Sequence, residues 1–293
     1  MTTLTPDELD SNDYEFKIKN VDGKYQTRIT NKNNGSIITI KTPWVILPFG
    51  LSSFQKSKGA TENLTDWIVE AKASCYQTLD LKNIKPEYNY EKNKQDIEKL
   101  FKFFEELQTK SIDFAHKNSK LLFKKDIKRD IIEEAYVAKF IKKTEKKDNE
   151  GNSYPDRITT KIMKDIKTNQ PSIVIEDLVG NNISIESWED VENKLSEVLS
   201  KGTPARLIIQ LRTYLVNNKF GFTIKLCAVQ VDDKKNNSMN NTFSFKDNSS
   251  SENNDSVEKK DVKPKNFIQH KNLDEIVDSE DDDAGFVVDE EDA

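Results

Sequence analysis

The chain has 293 residues, a net charge of −6, and 33% charged against 35% apolar residues. This length allows one large domain or two small ones with tails, and the polarity is higher than in an average globular protein. No apolar run approaches the ~20 residues that a membrane span needs. Because the N-terminal residues are polar and acidic, we expect no signal peptide and an intracellular protein that does not enter a membrane.

The charges are unevenly distributed along the chain. Residues 1–231 carry 37 basic and 33 acidic side chains, a net of +4, whereas residues 232–293 carry 8 basic and 18 acidic ones, a net of −10. A mildly basic body with an acidic tail predicts a body that attracts polyanions. Cys75 and Cys227 lie far apart in apolar runs, which indicates two reduced, buried thiols in a reducing compartment.

Hydrophobic periodicity predicts a mainly β chain with helical insertions. Apolar residues recur at helical spacing over residues 93–120, 126–134 and 187–199. Alternating polarity predicts strands over residues 14–19, 24–30, 66–81, 136–143, 157–165 and 172–175, and two more within 202–231. The apolar segment 37–49 contains two prolines, so we expect an edge strand or packed loop with Trp44 and Phe49 as core anchors.

Composition divides the chain into four parts. We expect a disordered N-terminus over residues 1–13 and a folded domain over 14–231 that contains a helical insertion at about 93–134. Residues 232–273 have too few large apolar residues to form a core and are expected to be a disordered linker. Residues 274–293 form an acidic tail with 11 carboxylates.

The segment 202–231 predicts a hairpin with one apolar and one polar face. Along its first strand, Arg206, Gln210, Arg212 and Tyr214 alternate with leucine and isoleucine, so they share one face. The turn is expected at residues 216–219, because asparagine tolerates turn conformations. Taken alone, this pattern is more typical of a half-buried sheet with a solvated polar face than of a binding site.

A second predicted hairpin, over residues 136–165, repeats the same mixture of cations and aromatic rings. Lysines and an arginine interleave with Tyr136, Phe140 and Tyr154. Cations that neutralise phosphates and rings that stack on bases are typical of a groove for single-stranded nucleic acid. Two hairpins with this mixture make a shared binding surface the stronger interpretation.

The sequence has no catalytic constellation. It lacks a glycine-rich phosphate loop and the common hydrolase and metalloprotease motifs, and its two histidines form no zinc spacing with cysteine. We therefore expect a protein that is not an enzyme and has no metal or cofactor.

Several segments together resemble a known family. They are residues 136–143 (YVAKFIKK), the pair Tyr154-Pro155, the strand GTPARLIIQLR that begins at Gly202, and the turn NKFGF that ends at Phe222. With the long helix and the acidic tail, this order resembles the replicative single-stranded DNA-binding proteins of the phage T-seven type, as found in nucleocytoplasmic large DNA viruses. The resemblance covers about residues 14–231 and the tail.

This resemblance implies an OB-fold, a five-stranded barrel with helical insertions. It implies sequence-independent binding of single-stranded DNA in viral DNA replication, recombination and repair, in the host cytoplasm (a viral factory) or the host nucleus. Candidates for contacts to phosphates and bases are Tyr136, Lys139, Phe140, Lys142, Tyr154, Arg157, Lys161, Arg206, Arg212, Tyr214, Lys219, Phe220 and Lys225.

The resemblance also gives the tail a role. In the phage proteins an acidic tail that ends in phenylalanine competes with DNA and contacts the polymerase, whereas Phe286 here is followed by seven more residues. We expect the tail to compete with DNA and to dock DNA polymerase or other replication proteins. Its candidate residues are Asp281, Asp282, Asp283, Phe286, Asp289, Glu290, Glu291 and Asp292.

Two alternatives remain open at the level of sequence. One is an acidic-tailed interaction module or chaperone that binds basic proteins, with the hairpins as ordinary surface. The other is an RNA-binding OB protein, because phosphate contacts and stacking serve both nucleic acids. A homodimer is left open as well.

Overall fold

The computed structural model describes residues 3–21, 23–55, 65–75, 89–143, 147, 151–165, 167–178 and 180–231, without the side chains of residues 53–55, 65, 66 and 75. The expectations for the linker, for the acidic tail and for the thiol of Cys75 therefore lie outside the described residues. The tail residues concerned are Asp281, Asp282, Asp283, Phe286, Asp289, Glu290, Glu291 and Asp292.

The architecture is mainly β, as expected. The strands are β1 Tyr14–Val21, β2 Lys24–Asn31, β3 Thr39–Lys41, β4 Val45–Ile46, β5 Leu51–Gln55, β6 Thr65–Cys75, β7 Ile141–Lys142, β8 Arg157–Ile162, β9 Val174–Glu176, β10 Asn182–Ile183, β11 Pro204–Val216 and β12 Lys219–Val231. The first two predicted strands are confirmed, and β1 and β2 form an antiparallel hairpin. The strand interpretation of residues 66–81 is confirmed as far as Cys75.

Four α- or π-helical segments accompany the strands within the described residues. They are α1 Tyr90–Lys117, α2 Ser119–Leu122, α3, which runs from Arg129–Ile131 into the π-helical Ile132–Tyr136, and α4, made of Trp188–Asp190, the π-helical Val191–Leu195 and Ser196–Val198. Asn89 caps α1 by accepting a hydrogen bond from the Glu91 amide at 2.9 Å. Ser187 caps α4, because its Oγ accepts a hydrogen bond from the Asp190 amide at 3.1 Å.

The strands of the large sheet follow the order β10–β9–β12–β11–β4–β6–β8–β7, with β3 added to β11 and β5 added to β6. β12 also pairs in parallel with β8, where Lys225 lies opposite Lys161. The longest ladder joins β11 to β12. Its turn residues Asn217 and Asn218 have φ of 47° and 57°, which is the backbone of a tight two-residue hairpin turn.

The alternation of side chains along these strands builds the core. Leu207, Ile209 and Leu211 of β11 are fully buried, and Leu226 of β12 and Val69 of β6 join them. The buried side of α1 covers this core through Leu100, Phe104 and Leu107, among others, as its helical spacing predicts. The opposite side chains of the same strands are consequently turned outward.

Two segments differ from the sequence-based expectation. Residues 3–13 do not lack structure: they form the short 3-10 helices Pro6–Glu8 and Ser11–Asp13, and Asp7 pairs with Lys92 and Lys99 of α1. The strand expected over residues 136–143 shrinks to β7, because Tyr136 completes the π-helical end of α3. Strand propensity there is overridden by packing of Tyr136 against Phe123, with ring centroids 4.9 Å apart.

Candidate nucleic-acid interface

Three cations lie side by side on the outward face of β7, β8 and β6. The register places Lys142 directly opposite Arg157, and Arg157 directly opposite Lys72. Residues directly opposite in an antiparallel pair point to the same face, and neighbouring strands are about 4.8 Å apart. The result is a row of three positive side chains across three strands, which we call the first cation row.

A second row crosses β11, β12 and β8. Gln210 lies opposite Lys225, and Lys225 lies opposite Lys161. Arg212 follows Gln210 by two residues on the same face, and its Nε donates to Gln210 Oε1 at 3.0 Å. Because Lys161 is four residues from Arg157 on β8, the two rows are about 13 Å apart along the strand. We call the surface formed by both rows, Arg212 and Tyr214 the cationic face.

Glu70 of β6 organises the first cation row. Its buried carboxylate accepts from Lys142 Nζ at 2.7 Å, from Arg157 Nη1 at 2.7 Å and from Thr159 Oγ1 at 3.1 Å. Burial alone raises the pKa of Glu70, but Lys142 and Arg157 together lower it below its ordinary value. The carboxylate is therefore charged at neutral pH and offsets one of three cations, so the row keeps a net positive charge.

The surroundings of Lys225 disfavour the charged form of its side chain. Its half-buried position lowers the pKa of its ammonium group, and the charge of Arg212 lowers it further. Its Nζ donates to Ser172 Oγ at 3.3 Å, and Asp165, in the turn after β8, raises its pKa in part. Two lysines on opposed strand positions repel each other. A polyanion bound to the second row would reduce this repulsion.

Tyr214 presents an aromatic ring beside these cations. It lies opposite Gly221 in the ladder, and a methyl group added at Gly221 would be 2.7 Å from Tyr214 Cζ and Oη. The phenol end of the ring therefore rests directly on the glycine backbone, next to Ala138. Burial raises the pKa of the Tyr214 hydroxyl, and the ring stays half-exposed.

The structure brings together six of the predicted residues on the cationic face. These are Lys142, Arg157, Lys161, Arg212, Tyr214 and Lys225. The surroundings of four others are these: Tyr136 packs on Phe123, Lys139 is exposed, Tyr154 is exposed in the loop before β8, and Lys219 donates to the Ala135 carbonyl at 2.6 Å.

Three predicted contact residues are wrong. Phe220 is fully buried, with its ring 5.7 Å from that of Phe114. Phe140 is buried between Phe104 and Phe222, with centroids 5.4 and 4.7 Å away. Arg206, although it is on the polar side of β11, is only 9% exposed because its guanidinium lies over the Trp44 ring at 5.3 Å. Burial removes the surface that a base or phosphate would need.

Sequence reasoning missed three residues of this region. Lys72 and Glu70 belong to a strand whose partners lie far away in the chain, and only the register joins them to Arg157. Phe49 was expected to be a core anchor and is instead 54% exposed, with the Arg157 guanidinium 5.1 Å from its ring centroid. Trp44, the other expected anchor, is buried as predicted.

The described residues contain no group of histidine, cysteine and acidic side chains that could hold a metal ion. Within the same part of the chain, no helix is long and apolar enough to cross a membrane.

No protein-family model matches the sequence, and no curated protein matches it either. Among solved structures, the chain is similar to the single-stranded DNA-binding protein of bacteriophage Enc34 in complex with single-stranded DNA, at 13% identity and a TM-score of 0.37, over 71% of this chain and 92% of that one. It is also similar to gp2.5, a single-stranded DNA-binding protein of bacteriophage T7, at 12% identity and a TM-score of 0.34, over 69% and 98%. Because TM-scores below 0.5 establish no shared fold, the function must be inferred from this chain's own residues.

Proposed function

We propose that the chain binds single-stranded DNA, without sequence preference, on the cationic face. The observation that supports this most directly is the double row of cations, in which Lys161 and Lys225 are opposed and Arg157 stands between Lys142 and Lys72. Like charges on opposed positions repel each other, and the single Glu70 carboxylate offsets only one of the three cations of the first row. A polyanion bound across the strands would neutralise both rows at once.

The aromatic ring beside the rows favours a single strand over a duplex. A half-exposed ring such as that of Tyr214 can stack only on a base that is not already stacked in a helix, and stacking accepts every base. Lysine and arginine contacts to phosphates carry no sequence information. Sequence-independent binding of a single strand follows from this combination.

We also propose that the strands form a five-stranded barrel of the OB type. The pairings support it, because β11 pairs with β4, β4 with β6, β6 with β8, β8 with β12, and β12 again with β11. In such a barrel the alternating side chains divide into an apolar interior and an outer surface, as they do for Leu211 and Arg212. The cationic face would then be part of the outer surface.

The wider role is part of the same proposal. We propose a binding protein rather than an enzyme, acting on DNA during viral replication, recombination and repair, in the setting that the family resemblance implies. The acidic residues 274–293 would compete with DNA for the cations and dock replication proteins. Their 11 carboxylates and lack of any basic residue support the competition.

The test is a binding titration of labelled oligo(dT), followed by fluorescence anisotropy, with unlabelled competitors of equal length. The proposal predicts binding that weakens with salt, by about 0.7 in log–log slope per neutralised phosphate, and that duplex DNA does not displace. Equal displacement by oligo(U) would favour the RNA-binding alternative. Failure to bind, even without residues 274–293, would contradict the proposal and favour a tail-mediated interaction module.

A further inference from the structure

Phe49 is displayed on the surface by an otherwise buried segment. Its ring is 54% exposed, whereas Leu47 is fully buried and both Pro48 and Gly50 are buried too. An exposed phenylalanine on its own needs no explanation. Here, however, the neighbours on both sides are fixed in the interior, so the exposure of this ring is imposed by the backbone.

The backbone around Phe49 is anchored on both sides. The Leu47 amide donates to the Thr203 carbonyl at 2.9 Å, the Gly202 amide donates to the Leu47 carbonyl at 2.7 Å, and the Leu51 amide donates to the Leu199 carbonyl at 2.8 Å. Because these bonds tie the segment to the connection before β11, Phe49 cannot turn inward without breaking them.

Gly50 makes this arrangement possible. Its φ is +65°, and a methyl group added there would lie 2.2 Å from the Leu199 carbonyl oxygen. Only glycine allows both this left-handed backbone and so close an approach. In the sequence Pro48-Phe49-Gly50, the proline restricts the backbone before the exposed ring, and the glycine allows the tight turn after it.

The ring adjoins the first cation row. The guanidinium of Arg157 lies 5.1 Å from the Phe49 ring centroid, and Arg157 is held in turn by Glu70 at 2.7 Å. Arg157 has Lys72 and Lys142 opposite it on the two neighbouring strands. The ring thus has one cation over it that belongs to a row with a net positive charge, and a cation over a ring is itself a favourable contact.

We propose that Phe49 is a base-stacking subsite for one nucleobase of the bound strand, with the first cation row contacting the phosphates beside that base. This inference rests on the proposed function and extends the interface beyond Tyr214. Charge complementarity selects the occupant, because a ring beside a row of net positive charge suits a base flanked by phosphates. An apolar side chain of a partner protein would gain nothing from those cations.

The experiment compares wild-type protein with Phe49→Leu, Phe49→Trp and the control Leu121→Ala, which alters another exposed apolar side chain, on α2. Each variant is titrated with labelled oligo(dT) and with an abasic oligonucleotide of the same length. Phe49→Leu keeps an apolar group but has no ring to stack on a base. We expect it to weaken oligo(dT) binding by about 5-fold to 100-fold, while Phe49→Trp and Leu121→Ala bind as wild type does.

The abasic strand separates stacking from a structural effect. If Phe49 stacks on a base, wild-type protein and Phe49→Leu bind the abasic strand equally. An equal loss on both strands, or no loss on oligo(dT), would overturn the subsite while leaving the proposed function intact. Failure of wild-type protein to bind oligo(dT) at all would overturn both.

Discussion

Replacing Gly221 by alanine tests whether the contact of Tyr214 with the glycine backbone positions its ring for binding. The new methyl group would meet Tyr214 Cζ and Oη at 2.7 Å and the Ala138 methyl at 2.9 Å. Gly221 is not among the glycines of positive φ, so alanine fits its backbone without strain. The tyrosine ring must therefore give way by the larger distance, and the backbone that carries the Ala138 methyl group must shift slightly as well.

The size of the effect follows from that contact. An ordinary contact begins at 3.4 Å, so the ring must retreat by 3.4 − 2.7 = 0.7 Å or more. Overpacking of this kind costs about 1–3 kcal/mol of folding stability. A displaced ring loses its stacked base, which lowers the binding free energy for single-stranded DNA by about 1–2 kcal/mol, or roughly 5-fold to 30-fold in Kd.

A double-mutant cycle with Tyr214→Ala isolates this coupling, measured as oligo(dT) affinity by anisotropy. We predict that Gly221→Ala weakens binding in the wild-type background and changes it by less than twofold in the Tyr214→Ala background. Urea denaturation of all four proteins checks that each is folded. If the loss is the same in both backgrounds, Gly221 acts through the strand and the reasoning about the ring is refuted.

Three further predictions follow from the ionisable groups. Glu70→Gln should lower the free energy of unfolding by about 2 kcal/mol at pH 7, because it removes a buried charged hydrogen-bond acceptor. The loss is no larger because the partner Lys142 is half-exposed and its charge is screened by solvent. Because the pKa of Glu70 is lowered in the folded state, this stabilisation is fully present above the ordinary value of 4.5 and is lost as the pH falls through the lowered pKa of the folded protein. The difference between wild type and variant should therefore shrink in acid and vanish below that lowered pKa. Lys225→Met should raise stability at neutral pH, because burial lowers the pKa of that lysine and disfavours its charged form, yet reduce the salt slope of DNA binding by about 0.7. Deletion of residues 274–293 should tighten DNA binding at low salt and have little effect at high salt.

Each of these has an outcome that would contradict it. If the difference in the free energy of unfolding between wild type and Glu70→Gln stays unchanged at acidic pH, the carboxylate stabilises the fold by packing rather than by charge. A Lys225→Met protein that is less stable would show that the lysine is well paired. Unchanged affinity after the tail deletion, with oligo(dT) at low salt, would leave the tail as a solubilising or tethering segment.

Local patterns predicted much of the fold. Alternation identified β11 and β12, the asparagines marked their turn, and helical spacing identified α1. The same alternation correctly placed Arg212 and Tyr214 opposite the core side chains. These features depend on neighbours within one or two turns or strands, which a single sequence displays directly.

The misassigned residues depend on distant parts of the chain. Alternation puts Arg206 on the same face as Arg212, but Trp44 covers only the former. Phe220 begins a strand at the turn, where rings from β1 and α1 bury it. Phe49 lies in an apolar run, and its exposure depends on the close approach of the Gly50 backbone to the Leu199 carbonyl. Strand register and burial by residues from distant parts of the chain arise from tertiary packing and leave no local signal in the sequence.

The salt dependence of oligo(dT) binding tests the cationic face most directly. The triple variant Lys161→Gln, Arg212→Gln, Lys225→Gln is compared with a control that removes equal charge from the exposed side of α1, namely Lys94→Gln, Lys102→Gln, Lys117→Gln. We predict that the interface variant loses about 2 from the magnitude of the log–log slope, at roughly 0.7 per phosphate, while the control keeps the wild-type slope. Equal losses in both variants would show that net charge, and not this face, determines the binding.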